Sequence, residues 1–265
     1  MSPETGLACS FRTTQDTSLA EALERAARAA DATTLASWWS LGDRDAAADG
    51  SHDPMLGLQV VATATRRLRV VVSGDIPSLY SAPVRAKQVA TLDWFSSGRA
   101  EYGIDLGPAP AALVDPLRSR PDDHVGHALD QVRAMRSLWT ERRATHTGPF
   151  ISFTGAIALP KPKGDRVPVT HVRATSADDL DRFAASCGVP GGWVVWSADA
   201  HDVDRANSLL DDVFAERAGA VRRTWVVPAA EIARARGAAP DLGVDEVVGF
   251  FDHVPTPEDV RALVA

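Results

Sequence analysis

Asp252 and His253 stand side by side, and a carboxylate next to an imidazole raises its basicity enough to make a general base. Asp75 is a second proton-transfer candidate, directly after the small pair Ser73-Gly74. His171 and Arg173 share one short run, and Trp38, Trp39, Asp105 and Trp196 complete a set that is polar, aromatic and of both charge signs. Such a set suits a flat aromatic cofactor or a planar substrate stacked on tryptophan. Blander readings stand beside these. Asp252–His253 also reads as a solvated pair, and His171 as a hydrogen-bonded structural histidine whose side of the strand is left open. His124 and His127 lack a third ligand, so no metal is expected. No GxSxG, HExxH or phosphate-loop sequence is present, which removes the hydrolase, zinc-protease and P-loop classes.

The elements that would gather these residues alternate. Leu7–Arg12 reads as a strand and Leu19–Ala30 as a helix with Leu19, Ala22, Leu23, Ala26 and Ala30 on one face, capped by Thr17 or Ser18. Thr33–Trp39 is a second strand, and Asp53-Pro54 opens a helix as N-cap and first-turn proline. Leu68–Ser73 is a continuous apolar strand of the kind buried on both faces of a parallel sheet. Val84–Phe95 carries no breaker, stops at Ser96-Ser97-Gly98, and leads into the alternating run Arg99–Ile104. That helix is apolar on two sides, so a second covering is expected on its outer face. Asp93 and Arg99 read as an ion pair tying it to its strand.

Downstream, Val125, Ala128, Leu129, Val132, Met135 and Trp139 mark a long helix begun by Asp122 or Asp123. Thr147–Pro168 is an insertion of hairpin character. Strands at Val169–Val172, Gly192–Ser197, Arg223–Val227 and Glu246–Asp252 alternate with helices at Ser176–Cys187, Val203–Ala218, Ala229–Arg236 and Pro257–Val264. Eight strand–helix pairs in one chain of 265 residues predict an α/β fold of the (β/α)8 TIM-barrel type, a single domain over 1–265 with the hairpin inserted before the fifth strand. Active sites of such barrels lie at the C-terminal strand ends, where the residues above fall.

A net charge of −7 without a basic run argues against nucleic acid and anionic membranes as partners. No segment approaches the ~18 apolar residues of a membrane span, and MSPETGLACSF lacks a cleavable leader pattern. Cys9 and Cys187 have no metal or redox spacing and read as buried free thiols of a reducing cytoplasm.

The stretch AKQVATLDWFSSGR resembles the signature of the bacterial luciferase-like monooxygenases, flavin- or deazaflavin-dependent enzymes. The resemblance extends through DPMLGLQVVATATRRLRV, HALDQVRAMRSLWTERRATHTGPFISF and PVTHVRATSADDLDRFAASCGVPGGWVVW, covering roughly 53–196, and AIALPKPKGDRVPV leans toward the nitrilotriacetate monooxygenase branch. It implies a luciferase-like barrel, often dimeric through its second and third helices, using reduced FMN supplied by a separate flavin reductase, with deazaflavin as the neighbouring cofactor. It also implies a flavin phosphate at Arg173, Thr175 and Ser176, a ring lying against Ser73-Gly74, and a substrate pocket around Trp38, Trp39, Asp105 and Trp196. Two departures stand out: the phosphate turn has lost its glycines and is followed by Asp178 and Asp179, and the turn after the fourth strand reads Asp105-Leu106-Gly107-Pro108-Ala109-Pro110 where family members often carry a glycine-rich or Asn-containing turn near the flavin. Ser176 and Asp179 equally read as a capping box that merely starts a helix. The expected activity is therefore a two-component, reduced-FMN-dependent monooxygenase acting on a small organic substrate. The alternative is a degenerate relative without flavin, serving as partner subunit of a homologue or using Asp75 and His253 in cofactor-independent acid–base chemistry.

Overall fold

The computed structural model describes residues 2–14, 17–45, 50–108, 110, 123–174 and 176–265. Strands β1 (Glu4–Cys9), β2 (Ser37–Ser40), β3 (Arg69–Asp75) and β4 (Ala100–Asp105) are followed by an antiparallel hairpin, β5 (Ala144–Thr147) and β6 (Ser152–Ala156). Strands β7 (Thr170–Arg173), β8 (Gly192–Trp196), β9 (Arg222–Pro228) and β10 (Glu246–Phe251) complete the set. All except the hairpin pair in parallel, and β10 returns to β1, so the expected barrel closes. Around it lie α1 (Leu19–Asp31), α2 (Pro54–Ala64), α3 (Ala82–Phe95), α4 (His124–Thr140), α5 (Ala177–Cys187), α6 (Ala200–Phe214), α7 (Ile232–Ala238) and α8 (Pro257–Ala262). Among the described residues no helix is long and apolar enough to cross a membrane.

Helix starts follow their capping chemistry. Ser18, rather than Thr17, caps α1 in a reciprocal box with Glu21, and Asp53 accepts from the Leu56 N–H at 2.9 Å ahead of Pro54. Asp123 opens α4 by accepting from Gly126 N–H at 2.9 Å. Strand alternation then splits the core in two. Leu7, Cys9, Trp38, Val70, Val72, Tyr102, Ile104, Val172 and Trp193 pack outward against the helices. Ala8, Trp39, Val71, Val194, Val226 and Val248 fill the barrel interior, with Trp196 and Phe250 above them. Each fully buried valine or leucine contributes about 1.5–3 kcal/mol.

Two expectations are corrected here. Asp93 does not pair with Arg99. Its carboxylate takes Arg166 at 2.9 Å and the Lys163 N–H at 2.7 Å, fastening the return leg of the insertion to the end of α3. Arg99 instead donates to the carbonyls of Ala62, Thr65 and Leu68, where it satisfies the end of α2. Secondly, β3 runs two residues past Ser73 to Asp75, through the bulge that the family resemblance implies at Ser73-Gly74. Val72 faces Tyr102 while Asp75 faces Ile104, so β3 spends one extra residue over that interval, with Gly74 at φ +62°. The outer face of α3 is exposed in the single chain, where Val84, Trp94 and Phe95 are about half open to solvent.

Candidate active site at the barrel mouth

Strands β2, β3, β4, β7 and β8 aim Trp39, Ser73, Gly103, His171, Arg173, Val194 and Trp196 at one point of the barrel interior, around a cavity of about 10 Å³ that Gly74 also borders. That is room for about one water-sized group. Glycine is required at Gly103, where a Cβ would come within 2.8 Å of the Val72 carbonyl oxygen. Trp39 packs edge-on to His171 with ring centroids 5.0 Å apart, and its indole N–H donates to Ser37 at 2.7 Å.

Above the cavity a chain of charges crosses the mouth. Arg44 meets Asp105 at 3.0 Å, Asp105 faces Arg173 at 3.8 Å, and Arg173 reaches Asp45 at 2.8 Å. Asp105 also accepts from the Gly107 N–H at 2.7 Å, which turns the chain away after β4. The Arg173 guanidinium lies 5.9 Å from the centre of the Trp196 ring, and Trp196 leans on Phe250 at 5.7 Å. On the other side of Arg173 and Trp196 opens a pocket of about 400 Å³, lined by Ala174, Ala177, Trp193, Ser197, Arg205 and Leu209 among others. This volume lies in the range of small-molecule sites.

Deeper in the barrel a second charge group is fully paired. His171 Nε2 is 2.7 Å from Glu101, which also takes Arg222 at 3.1 Å. Arg69 lies 2.8 Å from Glu246, and Ser37 donates to the same Glu246. Burial alone would raise the Glu101 carboxyl, but the hydrogen bond and charge of His171, helped by Arg222 and Arg69, pull it down to about 2.

The remaining expected residues lie elsewhere. Asp75 is turned away from the interior by the Gly74 bulge and sits between β3 and α3, 2.7 Å from Arg85, with the Tyr102 phenol facing it. Burial pushes its carboxyl up to about 7 against the pull of Arg85, and neighbouring Asp43 adds to the push. Asp43 in turn receives the Tyr80 hydroxyl at 2.6 Å and the Ile76 N–H at 2.7 Å. Trp38 faces the helix layer, as alternation with inward Trp39 demands, and leaves the substrate-pocket set. His253 is bonded to Asp252 at 2.6 Å on an exposed rim loop, where Arg12 also meets Asp252. This pair is at the correct end of the barrel but outside the cavity. Ser176 accepts from the Asp179 N–H at 3.2 Å and caps α5, so the capping half of its two readings is realised. Thr175 lies outside the described residues. Sequence reasoning passed over Glu101 and Arg44. Glu101 was findable, because it alternates with outward Ala100 and Tyr102; Arg44 was not, because only the fold brings its loop to Asp105.

Comparison with known proteins agrees with this architecture. Residues 4–246 match the luciferase-like monooxygenase family, and the chain belongs to it. Curated relatives include an uncharacterised protein of Mycobacterium tuberculosis, 31% identical over 167 residues, 62% of this chain and 56% of the relative. An FMNH(2)-dependent dimethylsulfone monooxygenase of Pseudomonas putida is 27% identical over 221 residues, 82% of this chain and 53% of that protein. The chain thus spans a little over half the length of these two relatives. Among solved structures, the coenzyme F420 dependent tetrahydromethanopterin reductase from Methanopyrus kandleri superposes with a TM-score of 0.76 at 13% identity, covering 100% of this chain and 97% of that one. Monooxygenase RslO1 from Streptomyces bottropensis gives 0.70 at 17% identity over 98% and 96% of the two chains. At these identities the two structures speak for the fold alone.

Proposed function

We propose that this chain is a flavin-dependent monooxygenase of the two-component type, taking reduced FMN from a separate flavin reductase and oxidising a small organic substrate. The single observation that carries the reading is Arg173. It is a half-buried cation at a strand end, laid on the face of Trp196, at the wall between the interior cavity and a pocket of about 400 Å³. A cation, an aromatic face and a pocket of that size fit a phosphorylated, flat heterocycle. Arg173 would take the phosphate and Trp196, which borders both spaces, would flank the bound molecule; Ser73, Gly74 and Trp39 border only the small interior cavity, so a ring lying against them would require that cavity to widen. Asp105 acts by holding both arginines rather than by touching the substrate. Reduced flavin bound here would supply the two electrons with which dioxygen is activated. The chain's own residues would exclude water from it. The FMNH(2)-dependent relative supports FMN, and an F420-dependent glucose-6-phosphate dehydrogenase of Kineococcus radiotolerans, 27% identical over 156 residues, keeps deazaflavin as the neighbouring variant.

Exposed Val84, Trp94 and Phe95 on α3, with Leu56 on α2, support a further subunit there, either a second copy or a homologue. The free thiols of Cys9 and Cys187 accord with a reducing cytoplasm. One observation favours the flavin-free reading. Arg173 already holds Asp45, and Asp178 and Asp179 crowd the start of α5, so an incoming phosphate meets carboxylates first. Titration with FMN, reduced FMN and F420, followed by flavin fluorescence or difference absorbance, decides between them. Dissociation constants tighter than about 100 μM, lost in Arg173→Ala, support cofactor use, whereas no binding at that concentration selects the flavin-free reading.

A further inference from the structure

Three charges buried outside the barrel wall are joined to the mouth by consecutive residues. Asp43, Asp75 and Arg85 are all buried. Asp43 accepts from the Ile76 N–H and the Tyr80 hydroxyl, and Asp75 accepts from Arg85, whose guanidinium also lies 3.5 Å from the centre of the Tyr80 ring. The two residues after Asp43 are Arg44, on Asp105 at 3.0 Å, and Asp45, on Arg173 at 2.8 Å. The residue before it is Gly42, set so close to the β3 bulge that a Cβ would stand 2.8 Å from the Ser73 carbonyl oxygen. Segment 42–45 thus touches the bulge at one end, the outer charges in the middle and the mouth at the other end.

Among the described residues, the titratable and charged groups facing Asp75 are Arg85 on α3, Tyr102 on β4, Tyr80 between β3 and α3, Asp43 after β2 and, more weakly, Asp53 at the cap of α2. Two buried carboxylates therefore share one guanidinium. A proton on Asp75 leaves Asp43 to balance Arg85; without it the two acids repel in a medium that screens poorly. Burial, reinforced by Asp43, lifts Asp75 to about 7, and burial raises Asp43 as well. Asp75 is fixed by the β3 ladder, whereas Asp43 hangs on two hydrogen bonds, so segment 42–45 is the part that yields.

We propose that Asp43, Asp75 and Arg85 form a proton-operated latch on the mouth: protonated, it holds Asp45 on Arg173, and deprotonated, it slackens segment 42–45 and frees Arg173 for an incoming anion. Only the identity of that anion, a cofactor's phosphate, rests on the flavin reading above. The sign follows from linkage. Slackening relieves Asp75 and moves its carboxyl back toward 3.8, so opening is favoured as pH rises toward 7 and levels off above it.

The test compares the full-length wild type with Asp75→Asn, which stays neutral, at pH 5 and pH 8; comparison at equal pH cancels the intrinsic chemistry. Amide hydrogen exchange reads the Ile76 N–H held by Asp43 and segment 42–45, and phenylglyoxal labelling mapped by mass spectrometry reads Arg173, with Arg222 and the amides of α4 as controls. The ratio of wild-type to variant exchange, and of Arg173 labelling, should rise about tenfold or more from pH 5 to pH 8, with the controls unmoved. A ratio that does not change with pH, exchange that rises without Arg173 labelling, or controls that rise equally overturns the proposal. If Asp75→Asn does not fold, the wild type alone decides: the infrared stretch of a buried protonated carboxyl should fade at the pH where Arg173 labelling rises, and a missing band or separate midpoints overturn the latch. Failure to bind any flavin would sink the monooxygenase reading alone, because none of these readouts uses a cofactor.

Discussion

Glu101 and Asp75 lie on neighbouring strands, both buried and both beside an arginine, yet their acidities move in opposite directions. Glu101 faces the interior, where burial is outweighed by His171, Arg222 and Arg69, and it is held near 2. Asp75 faces the helix layer, where burial wins, Asp43 adds a second negative charge, and it rises to about 7. Desolvation is common to both. The difference is the ratio of donors to acids: several cationic or N–H donors around Glu101, and one guanidinium for two carboxylates around Asp75. Which side each acid faces was decided by backbone geometry, since one extra residue at Gly74 reverses the alternation that would have sent Asp75 inward.

The contrast can be broken most severely at Arg85. Arg85→Met leaves two buried carboxylates without their cation and should cost about 3–5 kcal/mol in urea unfolding, most of it recovered by adding Asp75→Asn. If the single change is mild, the outer cluster is not electrostatically coupled. The next largest effect is at Glu101. Its folded-state acidity is depressed from 4.5 to about 2, so its contribution is complete above pH 4.5 and is lost as pH falls through 2. Glu101→Gln should therefore remove about 3 kcal/mol at neutral pH and flatten the acid limb of the stability profile. Asp75 has the opposite sign. Raised from 3.8 to about 7, it weighs against the fold increasingly as pH climbs through that window, so Asp75→Asn should flatten the neutral limb instead.

A smaller effect is expected at the bulge that sorts the two acids. Gly74→Ala forces a side chain onto φ +62° with its Cβ 3.3 Å from Gly42, for about 1–2 kcal/mol in unfolding experiments. The smallest lies at the mouth. Asp45→Asn frees Arg173 from a half-exposed pair worth no more than about 1 kcal/mol, so FMN should bind up to about fivefold tighter while stability falls by no more than that same amount. An unaltered affinity would show that Asp45 does not compete for the guanidinium.

Much of the frame was legible because local chemistry and periodicity agree with it. Asp53-Pro54 starts α2 as its residue types require, Val125 to Trp139 keep one face buried, and Trp38 and Trp39 divide between the two layers. The site was less legible. The register of His171 depends on its pairing with Gly103 and Gly192, neither of which is local in sequence. Asp75 was misplaced because a bulge changes phase without changing composition. Asp93 was assigned a partner six residues away, while its true partner, Arg166, arrives through the insertion. Long-range pairing decided each of these cases, and no single-residue preference encodes it.

The four charges strung across the mouth sum to nothing, and on the proposed reading Asp45 and Asp105 would compete with a cofactor's phosphate for Arg173. On that reading the chain would act as its own competitive inhibitor, tethered and present at constant local strength at any one pH. Sulfate or phosphate buffers would join that competition from outside, so an assay run in them would understate affinity, and chloride-only media of low ionic strength are where a weak cofactor would first be seen.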